Sequence, residues 1–138
     1  MSTQITQWFS NELLAIAFNR DTYTPAYTSL QVALTIDQPI INADSTQLLE
    51  PAGMGYARMS IPLNTANWVL SGYREITQAV DITFAAATYY WGTVSGWALL
   101  TVEATPNTVA AGTLATPLRV ITGIQPQIPA GSISLGLY

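Results

Sequence analysis

From Ser29 onward the apolar residues fall at alternate positions, in short runs broken by Gly, Pro and Asn. That period of two is the strongest constraint on the fold. Successive side chains of a strand point to opposite faces, so alternation sorts a segment into an inner and an outer face. Ser29–Asp37 is the clearest case, with Leu30, Val32, Leu34 and Ile36 on one face and Gln31, Ala33 and Thr35 on the other. Tyr56–Pro62 reads as a second strand. Arg74–Phe84 alternates again, with Ile76, Val80, Ile82 and Phe84 inward and Ala79 as a break or bulge. Thr93–Glu103 is a strongly apolar strand. Thr113–Ala115 and Leu118–Ile121 read as short strands interrupted by Pro117, which cannot donate to a ladder. Ser132–Tyr138 alternates Ile133, Leu135 and Leu137 against Ser132, Ser134 and Gly136. Trp91, Phe84, Val94, Leu99 and Leu135 are expected in the core.

The links between these runs carry turn residues. Pro39–Gly55 is a long connection, and Asn64–Ser71 is a turn-rich link containing Trp68. Ala85–Tyr90 reads as a crossover and Thr105–Gly112 as a hairpin-type link. Strands spaced this way, without the helical spacers of a βαβ unit, predict an antiparallel β-sandwich or a jelly-roll-like domain. Only the first segment has helical spacing. Leu13, Leu14, Ala17 and Phe18 form a stripe that Ser10 or Asn11 can cap. Ile5, Trp8 and Phe9 extend it one or two turns earlier, and Asn19-Arg20-Asp21 ends it. The expected organisation is one domain, with residues 1–22 as an N-terminal helical arm and residues 23–138 as the sandwich.

Composition narrows the chemistry. The 138 residues include no Cys, His or Lys, and the four cations are Arg20, Arg58, Arg74 and Arg119. Without Cys there are no disulfides or thiolate metal sites. Without His the commonest general base and metal ligand is missing. No enzyme, cofactor or metal site is expected. The eight carboxylates are Glu12, Asp21, Asp37, Asp44, Glu50, Glu75, Asp81 and Glu103, scattered along the chain as turn caps and solvated faces. Arg74-Glu75 and Asp81 are positioned for a cross-strand ion pair. Gly53-Met54-Gly55 lacks the strand, third glycine and helix of a dinucleotide loop. Ser71, Ser95 and Ser132 lie beside glycines with no base to activate them.

The net charge of −4 offers no basic stripe for nucleic acid. The longest apolar runs, Leu13–Phe18 and Trp97–Val102, fall far short of the ~20 residues that a membrane span needs. The N-terminus does not read as a signal peptide.

Only 9% of the residues are charged while 49% are hydrophobic. A neutral surface of Thr, Ser, Asn, Gln, Ala and Tyr is cheap to desolvate, so it suits permanent subunit contacts. The alternative is an ordinary uncharged β surface. Tyr89, Tyr90, Trp91 and Trp97 form an aromatic cluster with two readings. One is core packing plus interface anchors; the other is a stacking platform for sugar rings.

Several elements, taken in order, resemble a known family. They are Trp8-Phe9-Ser10-Asn11-Glu12-Leu13-Leu14, the link Tyr23-Thr24-Pro25 into the Leu30–Ile36 strand, and Gly55-Tyr56-Ala57-Arg58. Val80-Asp81-Ile82-Thr83-Phe84-Ala85-Ala86-Ala87 then leads into Trp91-Gly92-Thr93-Val94. Gly112-Thr113-Leu114-Ala115-Thr116-Pro117 and Ile128-Pro129-Ala130-Gly131-Ser132-Ile133-Ser134-Leu135 complete the pattern. The chain resembles the short phage virion proteins labelled "phage tail fibre protein", which also look like capsid decoration, or cement, proteins. It departs from them at Asp37-Gln38-Pro39-Ile40-Ile41-Asn42 and at Glu103-Ala104-Thr105-Pro106.

The resemblance implies a virion protein, made in the host cytoplasm and built into the particle. The leading expectation is a cement protein on the capsid surface, a homotrimer bridging major capsid proteins. The alternative is a tail fibre or other tail-associated structural or receptor-binding module. Ile5, Trp8, Phe9, Leu13, Tyr89 and Tyr90 are candidate assembly contacts. Arg58, Trp91 and Phe84 are candidate structural residues.

Overall fold

The computed structural model describes residues 3–17, 28–36, 48–53, 55–70, 75–102 and 106–136. The helix stop at Asn19-Arg20-Asp21, the boundary at residue 22, the Tyr23-Thr24-Pro25 link, Arg74 and Leu137 lie outside them. So do Phe18, most of the 39–55 connection and the 103–105 turn.

The chain is mainly β with one short N-terminal helix, as the alternation predicts, and its sheets pack in the manner of a sandwich. The elements are β1 (Thr3–Ile5), α1 (Gln7–Ala17), β2 (Ser29–Thr35), β3 (Met59–Pro62), β4 (Trp68–Leu70) and β5 (Glu75–Gln78). They continue with β6 (Ile82–Thr83), β7 (Gly92–Leu100), β8 (Thr108–Val120), β9 (Gln127–Ile128) and β10 (Ser134–Gly136). A five-stranded sheet has the order β1-β8-β7-β2-β3. A three-stranded sheet has the order β10-β5-β4, and β6 pairs with β9. Every ladder is antiparallel.

Register explains the core. Val32 pairs with Leu99 and Leu34 with Trp97, while Leu99 also faces Ala110. Paired residues share a face, so these side chains form one apolar surface of the large sheet. The two smaller sheets cover it, contributing Trp68, Ile82 and Ile128 to a single core with Phe84, Trp91, Val94 and Ile133. Leu135 is half-buried against this core rather than inside it, because β10 lies at the edge of its sheet. Ile76 and Val80 are likewise half-buried, unlike Ile82 and Phe84. The opposite face of the large sheet carries Ala33, Ala98, Leu100 and Ala111, which pack with Leu48. Ala33 and Thr35 are therefore buried as well, and β2 is covered on both faces.

Several sequence expectations need correction. The helix starts at Gln7, and its cap is Thr6 rather than Ser10 or Asn11. Thr6 Oγ1 accepts from the Phe9 amide at 3.3 Å, and the Thr6 carbonyl accepts from Ser10 at 3.1 Å. The Thr6 hydroxyl lies 3.1 Å from the Val109 carbonyl, so one side chain caps the helix and ties it to β8. Ile5 belongs to β1, not to the helical stripe, because it pairs with Ala110. Trp8 and Phe9 turn inward onto the core. Leu14 then falls about half a turn away and is 57% exposed.

Next, Trp68–Leu70 is a strand and not a link, since Trp68 is buried opposite Gln78. The Tyr56–Pro62 strand is also shorter than expected, since it begins at Met59, whereas the Arg74–Phe84 run divides into β5 and β6 at Ala79, where the sequence predicts a break.

Finally, β8 is one strand from Thr108 to Val120, where the sequence reads as a link and two short strands. Its ladder to β7 shifts register between Val94 and Gly96, whose partners are Leu118 and Thr113. The residues between those partners, Pro117 among them, leave the ladder, and proline's missing N–H costs nothing there. The β7–β8 turn is closed reciprocally. Thr101 N–H donates to the Asn107 carbonyl at 2.9 Å, and Asn107 N–H donates to Thr101 Oγ1 at 2.8 Å.

Candidate functional site

The Gly55-Tyr56-Ala57-Arg58 element finishes the edge of the large sheet. β3 pairs with β2 only as far as Met59 opposite Val32, so the outward N–H groups of Leu34 and Ile36 need other acceptors. Tyr56 Oη accepts from Leu34 N at 3.1 Å, and the Leu49 carbonyl accepts from Ile36 N at 2.9 Å. The Tyr56 hydroxyl donates in turn to Glu50 Oε1 at 2.6 Å. Arg58 binds the same carboxylate with two donors, Nε to Oε1 at 3.0 Å and Nη2 to Oε2 at 2.7 Å. A third donor, Nη1, reaches Gln31 Oε1 at 3.3 Å.

The motif order follows from this geometry. Gly55 has φ +87°, and a Cβ there would sit 3.1 Å from the Ala86 carbonyl oxygen. Only glycine lets the turn close that tightly. Tyr56 and Arg58 then share one side of the extended chain. The Tyr56 ring stacks on Phe84 at 6.5 Å and meets Trp91 edge-on at 5.4 Å. Burial, and then the bond to Glu50, push the Tyr56 hydroxyl far above its ordinary pKa, so it stays neutral and keeps donating. The Glu50 hydrogen bond raises the Arg58 pKa further above its already high value.

These contacts make a structural clamp that ties one carboxylate to the edge of the large sheet. Arg58→Met is expected to lower stability by about 1.5–3 kcal/mol, because Glu50 loses its charged partner. Thermal unfolding checks this, and a midpoint equal to the parent's would show that the clamp contributes nothing.

A second cluster lies on the surface. Trp91 and Trp97 are buried, so they cannot belong to a stacking platform. Tyr89 and Tyr90 are exposed, and the Arg119 guanidinium carbon sits 5.6 Å from the Tyr90 ring centroid. Neither tyrosine is among the buried core residues, and the sequence did not connect Arg119 with them. Their link is the β7–β8 ladder, which sets Thr93 opposite Arg119.

The remaining candidates are structural in their contacts. Asp81 Oδ1 accepts from the Ala130 amide at 2.8 Å. Glu75 accepts from the Ser134 hydroxyl, which also meets Thr77. Of the helical contact candidates, Trp8 and Phe9 stack on each other at 6.3 Å and pack against the core. The Leu13 side chain lies outside the described residues. Among the described residues no helix is long and apolar enough to cross a membrane, and no three His, Cys, Asp or Glu side chains gather as metal ligands.

The family described as podophage GP4 fiber I protein gp80 matches residues 4–136. The chain belongs to this gp80 fibre family. The match begins within β1 and ends at the last residue of β10, so it takes in the clamp, the surface tyrosines and every sheet. No curated protein matches the chain. The gp80-family assignment makes the protein a fibre-related structural protein of a phage virion.

Proposed function

We propose that this gp80-family chain is a subunit of the phage tail apparatus, a fibre module that assembles as a closed homotrimer. The observation that carries the reading is the extent of the family match, residues 4–136 of 138. The fibre named by that family favours the tail over a cement role on the capsid lattice, which the resemblance in sequence also implied.

Assembly is supported by surface chemistry. Leu14, Leu63, Val69, Leu70 and Val102 are all more than a third exposed in the single subunit. With so few charges to keep copies apart, such a surface associates without control unless symmetry closes it. The choice of three follows the resemblance to small virion modules.

Cryo-electron microscopy of the intact phage tests the location. Density for this chain at the tail is the expected result, and density on the capsid lattice overturns it. Mass photometry of the purified protein tests assembly. A trimer that persists at high salt is expected, because few charges are available to be screened. A monomer at micromolar concentration would overturn the assembly claim.

A further inference from the structure

We propose that Tyr89, Tyr90 and Arg119 form a binding site for an anionic saccharide, a sugar ring carrying a carboxylate. The proposal concerns the single subunit and does not rest on the tail assignment.

The frame under the site is tied down. Ala87 N–H donates to the Ile124 carbonyl at 2.9 Å, Gly123 N–H to the Ala87 carbonyl at 2.8 Å, and Trp91 N–H to the Val120 carbonyl at 2.9 Å. Trp91 is locked in the core directly after Tyr90. Against that fixed frame Tyr89 is 66% and Tyr90 45% exposed. Large aromatic side chains held open on a pinned link lose little conformational freedom on binding.

Arg119 decides the ligand class. It is the one cation besides Arg58 among the described residues, and it meets no carboxylate there. Its planar fork offers up to five N–H donors beside Tyr90, the residue that follows Tyr89 on the same link. Covering it with an apolar protein surface would leave a charge buried and unpaired, which is costly. An occupant must therefore bring acceptor oxygens for the guanidinium and an apolar face for the rings. A pyranose with a carboxylate has both, because its axial C–H face is apolar and its acid pairs with arginine bidentately. The exposed hydroxyl of Thr93, opposite Arg119 in the ladder, offers a further polar contact for the sugar's own hydroxyls. Nucleic acid also combines stacking with anions. A chain of net charge −4 repels a polyanion, however, and one free arginine cannot offset that.

The test is calorimetry on the purified full chain with three singly charged probes: galacturonic acid, glucuronic acid and sialyllactose. The methyl esters of the two uronic acids and lactose serve as their neutral counterparts. Binding of at least one acidic probe, in preference to its neutral counterpart, is expected. Tyr90→Ala and Arg119→Gln are each expected to weaken it by roughly tenfold or more. Arg119→Gln should also abolish the preference for acid over ester, a readout that misfolding does not mimic. Unchanged thermal unfolding of both variants confirms that the surface alone was altered. The proposal is overturned if none of the three acidic probes binds at millimolar concentration, or if the variants bind as the parent does. It is also overturned if the variants change only the oligomer mass, which would make the patch a subunit contact.

Discussion

Replacing Phe84 with alanine is expected to destabilise the fold by about 3–5 kcal/mol. Phe84 is 1% exposed and sits just past β6, where its amide donates to the Pro126 carbonyl at 2.9 Å. Its ring lies where three structures meet. It stacks on Tyr56, and it shares the core with Ile82 and Ile128 of the small β6–β9 sheet and with Trp97 of the large one. A cavity there cannot collapse easily, because each wall is held by its own ladder or clamp. The loss is a large part of the roughly 5–15 kcal/mol that such a domain has in total. Phe84→Leu keeps most of the volume and is expected to cost far less. Denaturant unfolding measures both. A loss below about 1 kcal/mol for Phe84→Ala would mean that the ring is not enclosed and that β6 is misplaced.

Phe84 also shows why part of the fold was legible in the sequence. It ends an alternating run, and alternation reports directly on which side chains face inward. The same signal located β2 and the mainly β class, while β7 was legible as a strongly apolar run. It failed where burial does not alternate. Ala33 and Thr35 look like an outer face, yet β2 is central and covered on both sides. Thr105–Gly112 reads as a link because Pro106, Asn107 and Gly112 are turn residues. From Thr108 it is strand, because β1 and β7 pair on either side of it.

Candidate site residues divide the same way. Gly55-Tyr56-Ala57-Arg58 was recognisable as a pattern, and Arg58 calls for a carboxylate on chemical grounds alone. That Glu50 answers it, and that Tyr56 completes a sheet edge, depends on where β3 stops. Arg119 had no local signal, since only the β7–β8 register brings it to Tyr90.

Gln78 is the clearest residue that sequence pattern overlooks, and its replacement by leucine is the second large effect expected. A polar residue in an alternating strand reads as outward-facing, yet Gln78 is 0% exposed. Its amide group does the work of a missing strand. Nε2 donates to the Val80 carbonyl at 3.0 Å and to the Pro129 carbonyl at 2.9 Å, and Oε1 accepts from the Ile133 amide at 2.8 Å. The backbone adds two bonds to the same loop, Gln78 N–H to the Ile133 carbonyl at 3.0 Å and Gly131 N–H to the Gln78 carbonyl at 2.9 Å. One residue thus fixes the turn at 129–133 that delivers Ile133 to the core and β10 to its sheet. Leucine has nearly the same size and a better affinity for an apolar site, so packing alone would favour it. The polar ledger runs the other way. Gln78→Leu strands the buried Ile133 amide, whereas the exposed Pro129 carbonyl keeps the Ser132 amide as a donor. The variant is therefore expected to lose about 1–3 kcal/mol, the cost of one buried group left without a partner. Hydrogen exchange separates this mechanism from general loosening. Protection at Ile133 should fall well below that of Leu34, whose amide is held by the Tyr56 hydroxyl, and of Leu99, which lies in the β7–β8 ladder. Parent-like protection at Ile133 in a stable Gln78→Leu protein would show that the loop is held by its own turn geometry and that the glutamine is dispensable.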